Sequence, residues 1–352
     1  MSNDSLAQSF FEAASSATQK AFLSTKPVLN HDLLIAGLRI RLSFAGATMP
    51  PLVLPALTHL TDPDLDVAPD FTIYIWDALS SSQALPSFPG KIDDILLRGE
   101  ISGLNTERFY AAFFPYARLL SLYDVEQRIG IICTSDATIM PAFEIACPLR
   151  SILSWILATN GNALIHAAAV GTKDGSVLLG GDGGAGKSST ALRSLLNGLL
   201  YIGDDICGLE NNQLGPIAHS IYSSAKLHTH DAHQFPGLVS AKFLDQEQYH
   251  HEKQMYFLSP HFDSQLTRSL PIKAILIPDH SNGPLRMEPI SPAYVVKVMA
   301  ASTNCLLPRA GIHTLMTLST LVRNVPCYRF HLGHNPQAVA PSIVEFLANP
   351  NE

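Results

Sequence analysis

Residues 181–188 read Gly-Asp-Gly-Gly-Ala-Gly-Lys-Ser, with four glycines in the six positions before Lys187 and Ser188. No other run constrains the fold as tightly. It matches G-x-x-x-x-G-K-[ST], the phosphate-cradling P-loop, at every fixed position. Such a turn works only with a strand before it and a helix after it. Residues 176–180 (Ser-Val-Leu-Leu-Gly) have the composition of a short buried strand. Beyond the turn, Ala191, Leu192, Leu195 and Leu196 fall on one helical stripe, and Gly198 suits the residue after a helix end. Strand, glycine turn and helix commit this region to an α/β architecture.

The residue types follow from anion chemistry. Glycines let successive backbone N–H groups turn inward around a phosphate chain. A lysine can reach the outer phosphates, and the following hydroxyl can join the shell of a Mg²⁺ ion. The expected ligand is a nucleoside triphosphate, ATP with Mg²⁺. It would be held by Gly181, Asp182, Gly183, Gly184, Ala185, Gly186, Lys187, Ser188 and Ser189.

At 352 residues the chain has room for two domains. Apolar residues make up 47% and charged residues 15%, which excludes wholesale disorder. A net charge of -7 argues against a broad nucleic-acid surface. The cysteines at 133, 147, 207, 305 and 327 have neither metal-ligand nor redox-motif spacing, so reduced thiols are expected. Residues 1–26 lack a basic stretch followed by an apolar one, and so do not read as a secretory signal. The apolar stretch 151–170 is interrupted by Asn160, Gly161, Asn162 and His166, too broken for a membrane span. The expectation is a cytoplasmic protein with neither membrane nor nucleic acid as partner.

Patterning divides the chain near residue 142. Before it, residues 1–27 read as a helix or loosely held arm. Strands are expected over 32–45, where Leu38, Ile40 and Leu42 alternate, and over 71–76, 108–122 and 127–134. Loops are marked by prolines at 50, 51 and 55 and by the Ser/Pro-rich stretch 79–95, with a short helix at 56–60. After Pro141 an amphipathic helix is expected to run to Thr159, with Ile145, Leu149, Leu153 and Leu157 on one face. Residues 162–170 read as one buried strand, then 176–180, the turn and its helix, and strand 199–202. Runs at 274–277 and 328–330 extend the sheet, and 336–348 form a last helix. The expected domains are 1–142, α+β, and 143–352, α/β.

Asp204 and Asp205 follow strand 199–202, 17 and 18 residues after Lys187. A strand parallel to the one before the turn delivers both carboxylates to the same sheet edge, beside the phosphates. Phosphoryl transfer to an alcohol uses one carboxylate near Mg²⁺ and a group that takes the hydroxyl proton. A solvated turn is the plain alternative for Gly203-Asp-Asp, and a satisfied core histidine is the alternative for His166. Residues 226–233, with Lys226, His228, His230 and His233, have a spacing that fits no standard metal site and read instead as a loop near the acceptor site, some twenty residues after the Asp pair. Glu252 and Lys253 could close over a nucleotide, and Asp279 imitates a metal-binding strand end that Pro278 would disturb. Arg286, Arg309 and Arg329 are candidate charge-stabilising arginines.

Together, His166, the loop 181–188 with Ser189-Thr-Ala191, and Gly203-Asp204-Asp205 resemble the catalytic core of the HPr serine kinase/phosphorylase family, over residues 160–210. The resemblance implies a P-loop kinase domain akin to phosphoenolpyruvate carboxykinase, and phosphate transfer to a protein seryl hydroxyl. It implies that Lys187 binds phosphates, that Ser188 and one aspartate hold Mg²⁺ while the other acts on the acceptor proton, and that His166 supports the transferring group; Asp204 is taken as the metal ligand and Asp205 as the base, with the reverse assignment open. Ser189 stands where that family has Glu, and Gly183 where it has Ser. The stretch that serves the reverse reaction has no counterpart, and the first 140 residues are unlike the family's N-terminal domain. These departures point away from HPr as acceptor and towards the stand-alone, peptide-modifying members. A small-molecule kinase and a non-catalytic nucleotide-dependent module are the alternatives. The N-terminal domain would recognise the acceptor or mediate homo-oligomerisation.

Overall fold

The computed structural model describes residues 3–62, 64, 67–87, 89, 91–243, 253–280, 283–309 and 311–349. The chain forms two compact units, one of residues 1–160 with 307–309 and one of 161–306 with 310–352.

The first unit holds α1 (Asn3–Ser24), β1 (Val28–Ile35), β2 (Leu38–Ala45), α2 (Pro50–Val53), β3 (Phe71–Asp77) and α3 (Ala78–Ser81). It continues through β4 (Phe109–Phe114), β5 (Leu119–Asp124), β6 (Ile129–Thr134), α4 (Ala142–Ala146) and α5 (Arg150–Thr159). Its six-stranded sheet has the order β1-β2-β3-β6-β5-β4. The β2–β3 and β3–β6 pairs are parallel and the others antiparallel. Small residues let α1 approach the sheet closely. Ala7, Phe10, Phe11, Ala14, Ala17 and Ala21 are buried against Trp76, Leu120, Leu122, Ile131 and Cys133. Trp76 Nε1 donates to Thr18 Oγ1 at 3.0 Å, which removes the one polar group of that contact from want of a partner.

Several elements differ from the sequence reading here. Residues 108–122, expected as one strand, turn back between Phe114 and Leu119, with Arg118 at φ 43°, into the antiparallel pair β4–β5. Residues 32–45 are a hairpin rather than one strand. Ala36 and Gly37 both take positive φ, 50° and 78°, as the tight hairpin turn demands. The helix expected over 142–159 is broken. Pro148 has no N–H to continue α4, and Leu149 takes φ 59° before α5 begins. The apolar stretch Ala142–Thr159 is long and apolar enough to cross a membrane, yet 78% of it is buried inside the protein. α5 packs within the first unit, so the compact units part at 160/161 rather than 142/143.

The second unit begins with β7 (Ala163–Ile165), β8 (Ala168–Thr172), β9 (Gly175–Leu179), α6 (Lys187–Leu196) and β10 (Leu200–Gly203). Next come β11 (Cys207–Asn212), β12 (Gly215–His219), β13 (Ser224–His228), β14 (Lys253–Phe257) and β15 (Ser269–Asp279). It ends with β16 (Arg286–Pro289), α7 (Pro292–Leu306), α8 (Gly311–Asn324), β17 (Cys327–His331) and α9 (Val339–Ala348). The main sheet runs β10-β8-β9-β15-β12-β11-β7, with β17 on β15 and β16 on β17, and β13 and β14 form a separate ribbon. β9, β15 and β17 are mutually parallel.

Successive residues of β9 point to opposite faces. Val177 and Leu179 join Ala191, Leu192 and Leu195 of α6 and Val339, Ala340 and Ile343 of α9. Leu178 joins Val295 and Met299 of α7 and Leu318 and Leu321 of α8. Helices thus cover both faces, which is why Val177, Leu178 and Leu179 are apolar in succession. Leu178→Ala should lower unfolding free energy in urea by about 2–5 kcal/mol, the usual figure for a core leucine. Leu214→Ala, on a fully exposed hairpin tip, should stay within about 0.5 kcal/mol of wild type.

Candidate active site

The site grows from the end of β9. Gly180 N–H donates to Leu276 O at 3.0 Å, which ties the strand end to β15 before the chain turns. Gly186 then takes φ 97° as the residue capping α6, and a Cβ there would meet His280 Nε2 at 2.7 Å. No side chain fits. Gly181 takes φ 135°, a conformation L residues rarely adopt. The turn leaves the first N–H groups of α6, and the positive end of its dipole, facing outward. Lys187 folds back along this turn. Its Nζ donates to Gly181 O at 2.7 Å and to Asp182 O at 3.0 Å. Burial pulls the Lys187 pKa down, while the charges of Asp204 and Asp205 oppose that shift.

β10 pairs antiparallel with β8, and β8 antiparallel with β9, so β10 runs parallel to β9. Their carboxyl ends share one edge of the sheet, which brings Asp204 and Asp205 to the turn. The two have opposite surroundings. Asp204 is 3% exposed; its Oδ2 accepts from Lys226 N–H at 3.3 Å, and its Oδ1 is buried without a hydrogen-bond partner. Burial pushes its pKa up to about 6, the charge of Asp205 adds to this, and Ser188 and the Lys226 N–H oppose it. Asp205 has a side chain 32% exposed. Its Oδ2 lies 2.5 Å from Lys226 Nζ and its Oδ1 3.3 Å from His166 Nε2. Burial alone would raise its pKa, but Lys226 and His166 outweigh it and hold the carboxyl well below the usual carboxylate range.

His166 sits where the expected strand 162–170 is interrupted. β7 pairs with β11, whereas β8 pairs with β9 and β10, so the chain changes neighbours at His166 and Ala167. The break frees the His166 N–H from the ladder, and it donates to Thr303 Oγ1 of α7 at 2.9 Å. Its Nδ1 is buried without a partner.

A cavity of about 560 Å³ opens over this arrangement. Of the residues singled out in the sequence, His166, Gly183, Gly184, Gly186, Lys187, Ser188, Ser189 and Asp205 line it. Gly181, Asp182, Ala185 and Asp204 are not in the lining. Lys226, Leu227, His228 and Asp231 of the segment 226–233 line it as well, whereas Arg193, Gln234 and His280 escaped the sequence reading as site groups. Arg193 carried a signal, because Gly186, Thr190 and Arg193 follow at helical spacings of four and three on one face. Lys253 lines the cavity too, while Glu252 lies outside the described residues.

Other candidates fall elsewhere. Among the described residues no group of three His, Cys, Asp or Glu side chains could hold a metal ion. His228 and His230 stack at 5.3 Å, and His233 Nδ1 contacts His230 O at 2.7 Å. Pro278 stays within β15, opposite Phe330 of β17. The ladder with β9 ends at Leu276, two residues earlier. Asp279 faces Arg329 at 3.9 Å and His331 at 3.6 Å. Arg286 pairs with Glu288, and Arg309 lies 3.9 Å over the Tyr110 ring in the first unit. All five cysteines are free thiols, and only Cys305 is exposed.

No protein-family model and no curated protein matches the chain. Among solved structures, the HPr(Ser) kinase/phosphatase from Coxiella burnetii is similar to it at 16% sequence identity. The match covers 52% of this chain and 93% of that one, with a TM-score of 0.28.

The Asp204 environment fixes a pH dependence. Its pKa is raised from an ordinary 3.8 to about 6, so the folded chain binds this proton more tightly than the unfolded chain. The associated stability is full below the unfolded value and is lost as pH rises through about 6. Asp204→Asn should therefore stabilise the metal-free chain at pH 8 by about 2–3 kcal/mol, measured by thermal unfolding. The gain should shrink towards zero as the pH approaches 4.

Proposed function

We propose that this chain is an ATP-dependent phosphotransferase that moves the γ-phosphate to a hydroxyl, with a Ser or Thr of a peptide or protein as acceptor. One observation carries the reading. The glycine turn with Lys187 and Ser188, and the Asp204–Asp205 pair of a parallel neighbouring strand, converge on the same sheet edge, beside one cavity.

The residues divide the work as follows. The N–H groups at the start of α6 and the Lys187 ammonium receive the outer phosphates, with Lys187 leaving the carbonyls of Gly181 and Asp182 for phosphate oxygens. The buried, unpartnered Oδ1 of Asp204, with the Ser188 hydroxyl close by, is an oxygen donor pair suited to a hard cation. A Mg²⁺ ion held there would neutralise charge on the phosphate chain. Asp205 orients the acceptor hydroxyl and takes its proton late. A loose transition state leaves that proton in place until the bond to phosphorus has largely formed, so a weakly basic carboxylate suffices. Lys226 and His166 flank the Asp205 carboxylate and offer positive charge and N–H groups to the moving phosphoryl group.

Transfer from γ-labelled ATP into a pool of peptides and metabolites tests this. Wild type should label a peptide. Lys187→Ala and Asp205→Asn should each lower the rate by about a hundredfold or more. Label on a metabolite alone would give the small-molecule reading. ATP binding without transfer in wild type would overturn the enzymatic one.

A further inference from the structure

The cavity over the α6 turn has two walls of different make. One is the turn and the start of α6, with Gly183, Gly186, Lys187 and Ser188. The other is the ribbon of β13 and β14. His228 pairs there with Lys253, and Lys226 stands two residues before His228. Opposed residues and alternate residues of a ribbon share a face. Lys226, His228 and Lys253 therefore stand on one face, and all three line the cavity. Ala225 and Tyr256, paired on the other face, are buried in the core with Leu192 and Leu195 of α6.

We propose that this cationic face reads the phosphate acceptor, and that the acceptor is a peptide segment with a carboxylate about two residues from its hydroxyl. The proposal rests on the kinase reading of the site and names the acceptor class that reading leaves open. In-line transfer puts the attacking oxygen on the far side of the phosphoryl group from the donor chain. Asp205 marks that side, and Lys226 of the ribbon holds Asp205. A peptide whose hydroxyl reaches Asp205 lays its next residues along the ribbon. His228 lies two residues on from Lys226, a rise of about 7 Å, which is also the reach of two residues of extended peptide.

The charges facing the cavity decide the sign. Lys226 is paired with Asp205, Lys187 is committed to the turn, and Arg193 lies over Phe235 with Gln234 on its Nη2. Among the described residues no carboxylate pairs with Lys253, and its charge reaches into the site, where it helps to push the Lys187 pKa down. Both lining acids are engaged, Asp205 by Lys226 and His166, and Asp231 by Gln234 Nε2. A basic flank finds no open partner on this wall. A carboxylate finds the Lys253 ammonium with the His228 ring opposite it. The whole chain carries a net charge of -7, which disfavours acidic partners at a distance, so the preference is local to the ribbon.

Phosphorylation of a positional-scanning peptide library by the full chain, with γ-labelled ATP, tests the proposal. The library fixes one serine, blocks both termini and varies the flanking positions one at a time. A second set ends in a free carboxylate two residues after the serine. Wild type should favour Asp or Glu two places from the serine, or that free carboxylate, by about tenfold over Gln or Lys, and either source satisfies the proposal. Lys253→Glu, at an exposed position, should reverse the ranking so that lysine peptides become the better acceptors. A damaged fold cannot supply that gain. The KM for ATP should stay within about threefold of wild type. No charge preference in wild type, or an unchanged ranking in the variant, overturns the proposal and leaves the kinase reading standing. An unchanged ranking with a raised KM for ATP would assign Lys253 to the phosphates instead. Label on no peptide at all overturns the peptide-acceptor reading on which the proposal rests.

Discussion

Two carboxylates on consecutive residues, Asp204 buried and Asp205 lining the cavity, repel each other, and the site is organised around relieving that repulsion. Lys226 does most of it. Its ammonium pairs with Asp205, and its backbone N–H serves Asp204. The pair consequently splits into a strongly acidic carboxylate facing the cavity and a buried one whose pKa rises to about 6. Groups with such different proton affinities are suited to different tasks, which the proposed division between acceptor and cation uses. The same negative charge opposes the burial penalty on Lys187 across the gap. Anion-binding amides, lysine and aspartates therefore form one electrostatic unit.

That unit depends on strand order. β8 lies between β9 and β10 and runs against both, so the two strands that carry the turn and the aspartates end together. The interruption at His166 serves the same end. By changing neighbours there, the chain sends one histidine out of the ladder towards Asp205 and anchors its backbone on α7. Helices on both faces make the sheet a rigid platform, and the loops at its carboxyl edge carry the chemistry.

Legibility followed locality. The turn, its strand and its helix were readable because each is a pattern within about a dozen residues. The position of Asp204 and Asp205 beside the turn was readable because their spacing to it implies a shared edge, whereas His166 was singled out only by the resemblance. The pairing of Lys226 with Asp205 was not readable. A single lysine carries no local signature, and it reaches Asp205 only because β13 pairs with β14 across the residues between them. In the first unit, alternation ran through Ala36 and Gly37 without the Asn-Gly or Asp-Gly that usually marks a tight hairpin. An apolar face maintained at Ile145, Leu149, Leu153 and Leu157 concealed the break at Pro148. The placement of residues 307–309 in the first unit rests on contacts such as Trp155 Nε1 to Pro308 O and Arg309 N to Glu100 Oε1, which no local pattern encodes.

The central claim is that phosphates sit at the start of α6, between Lys187 and the aspartate pair. A crystal structure with Mg²⁺ and a non-hydrolysable ATP analogue tests it most directly. The account predicts that Lys187 Nζ leaves the carbonyls of Gly181 and Asp182 for β- and γ-phosphate oxygens, with the cation between Ser188 and Asp204. A nucleotide bound elsewhere, with Lys187 still on those carbonyls, would contradict it.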